Sequence, residues 1–274
     1  MADLDHRAAG GKRLKDKICI VTGAGQGIGR AAAKRLGAEG GTVVVADRVD
    51  GGATQTTAEL RDAGVEAMKV LVDLSMLIGA KELMKQAVAA YGRIDVLVNN
   101  VGGTIWIKPF HMYTEEETTM ELERSLYPTL WGCLAVLPIM MKQKSGSIVN
   151  LGSQSTRGLY RLPYATSKGG VLALTKVMAM EYGRYGIRIN AMAPGGTEIS
   201  DRVVPRQFIK PGVVVEESAA EAEYRREMAE DIRAQQALRR RGLPEEQAAA
   251  IAFLASDDSS FITGQVINCS GGQS

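Results

Sequence analysis

Apolar residues recur along this chain in two alternating rhythms. Short runs with no polar face, Ile18–Thr22, Thr42–Ala46, Ala67–Val72, Val96–Asn99, Ser147–Leu151, Arg188–Met192 and Gln265–Asn268, read as buried strands. Between them Gly27–Glu39, Thr54–Ala63, Ala80–Tyr91, Glu115–Lys142, Tyr164–Tyr185 and Pro244–Ala255 repeat their apolar residues at helical spacing. Strands that are apolar on both sides must be covered on both sides, and a helix between strands supplies the crossover that parallel pairing needs. The pattern predicts an α/β fold: a single Rossmann-type, doubly wound parallel sheet of about seven strands with helices on both faces. No internal repeat or low-complexity linker interrupts the pattern, so residues 15–274 are expected to form one domain behind a flexible tail over residues 1–14. The stretch 200–242 breaks the rhythm. It is strongly polar, with an Arg/Glu-rich helical segment from about Glu216 to Arg240, and reads as an insertion over the carboxyl edge of the sheet, where such folds bind ligands.

Composition narrows the function classes. Hydrophobic residues make up 45% of the 274 and charged residues 23%, an ordinary soluble balance. With 33 basic and 31 acidic residues the net charge is +2, which gives no reason to expect nucleic acid or an anionic membrane as partner. The densest basic run, Arg239-Arg240-Arg241, reads as a solvated helix end. No run approaches the ~18 apolar residues that span a bilayer, and Met1 to Lys17 is polar without an apolar h-region, so a cytoplasmic protein is expected. Cys19, Cys133 and Cys269 are odd in number, far apart and without CxxC spacing. They suit neither a disulfide framework nor a metal site and read as small buried hydrophobes.

Two segments carry chemistry. The first strand runs into Thr22-Gly23-Ala24-Gly25-Gln26-Gly27-Ile28-Gly29 and then a helix. Glycines there allow a tight turn and the close approach of a pyrophosphate to the helix N-terminus, where N–H groups and the dipole favour anions. Asp47, at the end of strand two, stands where an acidic residue accepts hydrogen bonds from the adenosine ribose hydroxyls and repels a 2′-phosphate. That favours NAD over NADP as cofactor, with neighbouring Arg48 pulling the other way. The second segment, Tyr164-Ala165-Thr166-Ser167-Lys168, puts a phenol and an ammonium on one helical face. A free tyrosine, with a pKa of about 10, is a poor base at neutral pH; a nearby positive charge favours its phenolate and suits it to taking a carbinol proton.

The glycine spacing GxxxGxG, with the motifs that follow it, resembles the short-chain dehydrogenase/reductase family over nearly the whole chain. Asp73-Leu74 matches the family's adenine-contacting position, and Asn99-Asn100-Val101-Gly102 matches its NNAG motif with valine in place of alanine. Pro194-Gly195 matches the turn beside the nicotinamide, Thr197 takes the place that holds the carboxamide, and Gly264 and Gly271-Gly272 fit the C-terminal pattern. The resemblance implies an NAD site formed by Gly23, Gln26, Gly27, Ile28, Gly29, Asp47, Asp73, Leu74, Asn100, Tyr164, Lys168, Pro194, Gly195 and Thr197, and a homotetramer built on helices four and five. It also implies a catalytic set of Tyr164, Lys168 and a serine after strand five. Ser153 is the best match, although it precedes Tyr164 by eleven residues, two fewer than the family usually shows; Ser155 is the alternative. An asparagine on helix four, which holds a proton-relay water in many relatives, is replaced by Ser125 when the alignment runs through Leu137-Pro138.

Three further segments, Asn99 to Phe110, Ser125 to Trp131 and Ala193 to Glu198, resemble the dehydrogenases that act on cis-dihydrodiols of benzoate-type acids. The resemblance implies oxidation of a cyclohexadiene cis-diol carboxylate to an aromatic diol, a catechol with loss of carbon dioxide. A 2,3-diol acid of the p-cumate type, another short-chain alcohol dehydrogenase or 3-oxoacyl reductase, and a non-catalytic dinucleotide-binding protein stay open as alternatives. Arg157 and Arg161, in the loop between Ser153 and Tyr164, can each grip a carboxylate as a planar fork. Trp106, Ile107 and Phe110 can form an apolar wall for the ring.

Overall fold

A computed structural model describes residues 12–200, 202–205, 207–210 and 213–273, without the side chains of Ser155, Arg157 and Lys210. Seven strands, β1 (Ile18–Thr22), β2 (Thr42–Asp47), β3 (Ala67–Leu71), β4 (Val96–Asn99), β5 (Gly146–Leu151), β6 (Ile187–Pro194) and β9 (Val266–Cys269), form one sheet in the order β3-β2-β1-β4-β5-β6-β9. Every neighbouring pair is parallel. Each predicted strand lies within two residues of its observed counterpart. The order reverses beside β1, where β2 and β3 lie on one side and β4 on the other, so a crevice opens at the carboxyl ends of β1 and β4.

Alternation along the strands divides the core into two layers. Cys19 and Val21 of β1 pack with α1 (Gly27–Ala38), α2 (Asp50–Asp62) and α8 (Pro244–Ala255) through Leu36, Leu60 and Ile251. Ile18 and Ile20 face the other way, toward α3 (Leu77–Tyr91) and α5 (Tyr127–Gln143) through Leu83, Val136 and Met140. The tail expected over residues 1–14 falls mostly outside the described residues, but its last members are not tail-like. Leu14 is fully buried, and Arg13 donates to Glu39 and Asp258.

Two expectations need correction. The helix predicted over Glu115–Lys142 is two helices, α4 (Glu115–Ser125) and α5, parted at Leu126. Pro128 explains the break: it has no N–H to donate to the carbonyl of Arg124, and its ring crowds that carbonyl. Thr114 and Glu117 start α4 with a reciprocal capping box. The segment 200–242 is more than a helix, because an antiparallel hairpin, β7 (Phe208–Lys210) and β8 (Val213–Val214), precedes α7 (Ala219–Gln235). Helix α7 ends at Gln235, with Gln236 extended, short of the end expected at about Arg240, and so the three arginines are no helix end. Arg239 turns with φ 53°, Arg240 pairs with Glu246, and Arg241 donates to the Thr197 carbonyl at 3.1 Å.

Candidate active site

The glycine loop forms the floor of the crevice. Gly27 has φ 54°, and a Cβ on Gly29 would lie 2.1 Å from the Gly23 carbonyl, so the loop closes only with glycine at both positions. Helix α1 begins directly behind it with no side chain capping its N-terminus. The pyrophosphate of a dinucleotide fits such a start, since helix N-termini favour anions and no side chain intrudes. Asn100 holds the loop in shape, its amide donating to the carbonyls of Thr22 at 2.9 Å and Gly23 at 3.1 Å. Gln26 reaches outward, its Oε1 accepting from the backbone N–H groups of Val203 and Val204.

Asp47 sits at the end of β2 with its carboxylate half-buried and oriented. One oxygen accepts from Gly25 N–H at 2.9 Å and the other from Val49 N–H at 3.0 Å. A carboxylate has about four acceptor sites, so two stay open for a ribose diol. Asp73, after β3, is exposed and accepts from Ser75 N–H. Leu74 beside it is buried in the core under α3, which leaves only its backbone to meet an adenine. On the far side, Gly195 follows Pro194 at the end of β6, where a Cβ would come 2.7 Å from Ser270 Cα. Thr197 is buried, its hydroxyl donating to the Gly195 carbonyl, which fixes the turn. Ile28 lies in the first turn of α1, packed against the layer beneath it.

Tyr164 and Lys168 occupy the first two turns of α6 (Leu162–Tyr182). Pro163 at the helix start is tolerated because its missing N–H would have no partner there. Lys168 is 3% exposed and spans the gap between two strand ends. Its Nζ donates to the Leu151 carbonyl at 2.7 Å, at the end of β5, and a Cβ on Gly102 would be 2.9 Å from it. Burial pulls its ammonium down to about 8, still charged at neutral pH. Ser153, also buried, stands two residues beyond Leu151, so β5 brings serine and lysine to the same edge. Ser125, on α4, is fully buried; its hydroxyl accepts from Gly103 N–H at 3.2 Å and binds the loop that follows β4.

Arg161 immediately precedes α6. Its guanidinium carbon lies 5.9 Å from the Tyr164 ring centroid, and only 6% of the residue is exposed. Among the described residues it has no hydrogen-bond partner and no salt bridge, and its Nε is buried and unsatisfied. Burial lowers its pKa, with the negative charge of Asp231 opposing that from a distance. Arg157 lies in the short 3-10 turn after β5, but its side chain falls outside the described residues, as does that of Ser155. Of the three apolar candidates, Trp106 and Ile107 are buried while Phe110 is half exposed, so the wall is narrower than expected.

Residue patterning did not reveal the clamp that holds Trp106. Glu121, fully buried on α4, accepts from Ile105 N–H at 2.7 Å, from Trp106 N–H at 3.1 Å and from the Thr104 hydroxyl. Tyr113 closes it from outside, donating to the Trp106 carbonyl at 2.7 Å. Burial raises the Glu121 pKa, and its second oxygen has no partner among the described residues. The available signal was its position: Glu121 is four residues before Ser125, on the same buried helix face.

A switch-point crevice, a glycine loop and a half-buried Tyr164 one helical turn before the buried Lys168 are features expected of a dinucleotide-dependent dehydrogenase site. Comparison with known proteins agrees: residues 17–207 match the family described as short chain dehydrogenase, and residues 202–274 match that described as Enoyl-(Acyl carrier protein) reductase. The chain belongs to the short-chain dehydrogenase family. It is 47% identical, over 95% of its length and 97% of the relative's, to a 1,6-dihydroxycyclohexa-2,4-diene-1-carboxylate dehydrogenase of Acinetobacter baylyi. It is 43% identical to the enzyme of the same name from Pseudomonas putida, over 95% of this chain and 94% of that one. Among solved structures, a levodione reductase superposes with a TM-score of 0.83 at 32% identity, over 95% of this chain and 98% of that one. Among the described residues no group of three or more His, Cys, Asp or Glu gathers as a metal site, and no helix is long and apolar enough to cross a membrane.

Proposed function

We propose that the protein oxidises a cyclohexadiene cis-diol carboxylate of the benzoate type with NAD, releasing carbon dioxide and leaving a catechol. The observation that carries the carboxylate is Arg161. A buried guanidinium without a counter-ion is costly, by several kcal/mol for an isolated charge, and its place against the Tyr164 ring suits an anion that arrives with the substrate. The two relatives are named for a diol acid of this kind.

NAD, held by the glycine loop, Asp47 and the turn around Gly195 and Thr197, supplies the hydride acceptor. The chain's own residues manage the rest. Ser153 donates to the carbinol oxygen and Tyr164 takes its proton as the carbon beside the carboxylate-bearing carbon gives up hydride. Lys168, charged and buried, stands one helical turn after Tyr164 and is anchored on the Leu151 carbonyl, which puts a positive charge beside the reacting groups. Arg161 fixes the carboxylate with a two-pronged grip, and Trp106, clamped by Glu121, borders the ring. Oxidation next to the carboxylate-bearing carbon makes a β-keto acid. Its bond to the carboxylate carbon breaks to release carbon dioxide; the electron pair forms the last ring double bond, and the former carbonyl oxygen takes the proton back from Tyr164, giving the catechol. No separate decarboxylation machinery is required.

Asp47 supports NAD over NADP, and the segment 200–242 is read as a lid over the substrate. The ring of Tyr224 on α7, its centroid 4.8 Å from that of Tyr160, and the salt bridge of Lys108 to Glu221 support that reading. Exposed Leu134 on α5 and Val177 and Met180 on α6 favour a homotetramer. Three free cysteines suit a reducing, cytoplasmic setting. A panel of cis-dihydrodiols with and without a ring carboxylate tests the reading. NADH should form fastest from the acid; preference for the neutral diols would overturn it.

A further inference from the structure

Arg48 is out of keeping with an NAD site. It follows Asp47 directly, and a guanidinium beside the adenosine ribose is the group that accommodates a 2′-phosphate. In the structure that guanidinium is already engaged. Its carbon lies 5.0 Å over the centre of the Phe208 ring, and one nitrogen is within 3.4 Å of the Phe208 carbonyl. Phe208 opens β7 of the hairpin, and Arg124 of α4 also donates to its carbonyl, at 2.7 Å. The approach to the hairpin is tied to the glycine loop as well. Gln26 accepts from Val203 and Val204, and Ile199 Cδ1 lies 3.0 Å from where a side chain on Gly27 would begin. A chain anchored at the glycine loop and at α4 thereby carries one aromatic ring to the end of β2.

We propose that Phe208 is a specificity-determining residue for the cofactor. Its ring and carbonyl hold the Arg48 guanidinium against the hairpin, so that it is not offered to a 2′-phosphate and Asp47 alone sets the choice. The inference rests on the reading of Asp47 as the NAD-selecting residue. An arginine on an aromatic face at an exposed site is held weakly, so releasing it changes affinity by a few-fold rather than by orders of magnitude.

The test is direct binding of NADH and NADPH, followed by fluorescence titration, to the wild-type protein, to Phe208→Ala and Phe208→Leu, and to each combined with Arg48→Ala. Leucine keeps the apolar bulk of the hairpin and removes the ring face, which guards against a folding artefact in the alanine variant. Both single variants should bind NADPH roughly three-fold more tightly, the scale of one exposed cation–π contact, with NADH affected less. Adding Arg48→Ala should abolish the gain. A wild type that prefers NADH while neither variant gains NADPH affinity overturns the latch alone, as does a gain that survives without Arg48. A wild type that binds NADPH more tightly than NADH overturns the Asp47 reading, and the latch with it.

Discussion

Replacing Arg161 by methionine should weaken the enzyme and strengthen the fold at once. Methionine retains most of the stem volume and removes the guanidinium of a residue that is only 6% exposed and has no hydrogen-bond partner among the described residues. Leaving a substrate carboxylate unpaired in a buried site costs about 3 kcal/mol, on the order of 10²-fold in kcat/KM at 1.4 kcal/mol per decade. The loss should fall on diol acids alone; a neutral cis-dihydrodiol should change by less than about three-fold, because Tyr164, Lys168 and Ser153 are untouched. Removing a buried, uncompensated charge should stabilise the native state by about 1–3 kcal/mol, raising Tm by roughly 2–6 °C in a chain of this size. Steady-state kinetics on matched acid and neutral diols, with thermal unfolding of the same samples, reads both effects. Equal losses on both substrates, or a lower Tm, would show that Arg161 supports Tyr164 or the fold instead of gripping the substrate.

Tyr164→Phe should retain cofactor binding and keep less than about a tenth of turnover, the loss of a general base costing 10²-fold or more; equilibrium titration and initial rates separate the two. Asp47→Ala should lower the NAD:NADP ratio of kcat/KM, because it removes both the ribose acceptor and the charge that repels a 2′-phosphate; an unchanged ratio would refute the role. Lys168→Met addresses pH. Burial lowers the lysine from 10.5 to about 8, so between those values the native state binds fewer protons than the unfolded chain, and stability from this residue rises with pH. Below pH 8 the native state bears the full penalty, roughly 3 kcal/mol. Urea unfolding should therefore show the inactive methionine variant more stable than wild type at pH 7, with the gap closing toward pH 10; parallel curves would contradict it.

How much of this was legible in the chain differs by element. Strands β1 and β4 were placed to the residue, because an apolar run between a turn and a glycine loop has few other readings. Helices α4 and α5 were fused because their apolar period runs through Leu126 unbroken; the Pro128 ring ends the ladder without disturbing the pattern. The hairpin of Phe208 was missed because two short strands carry too few residues for a period to register. At the candidate site, motif spacing picked out Tyr164, Lys168 and the glycine loop, since those positions depend on local geometry. Spacing alone could not show that Arg161 is buried without a partner among the described residues, because that is a tertiary fact. Glu121 stayed hidden for a similar reason: an acidic residue in a helix looks solvated until the Thr104–Trp106 loop folds over it.

The most direct test of the account is the stoichiometry of a single turnover experiment on 1,6-dihydroxycyclohexa-2,4-diene-1-carboxylate with NAD. NADH is read by absorbance, carbon dioxide is trapped from a carboxyl-labelled substrate, and the aromatic product is identified by chromatography. The account predicts one NADH, one labelled carbon dioxide and one catechol per substrate consumed. NADH without labelled carbon dioxide, or a dihydroxybenzoate as the product, would contradict it.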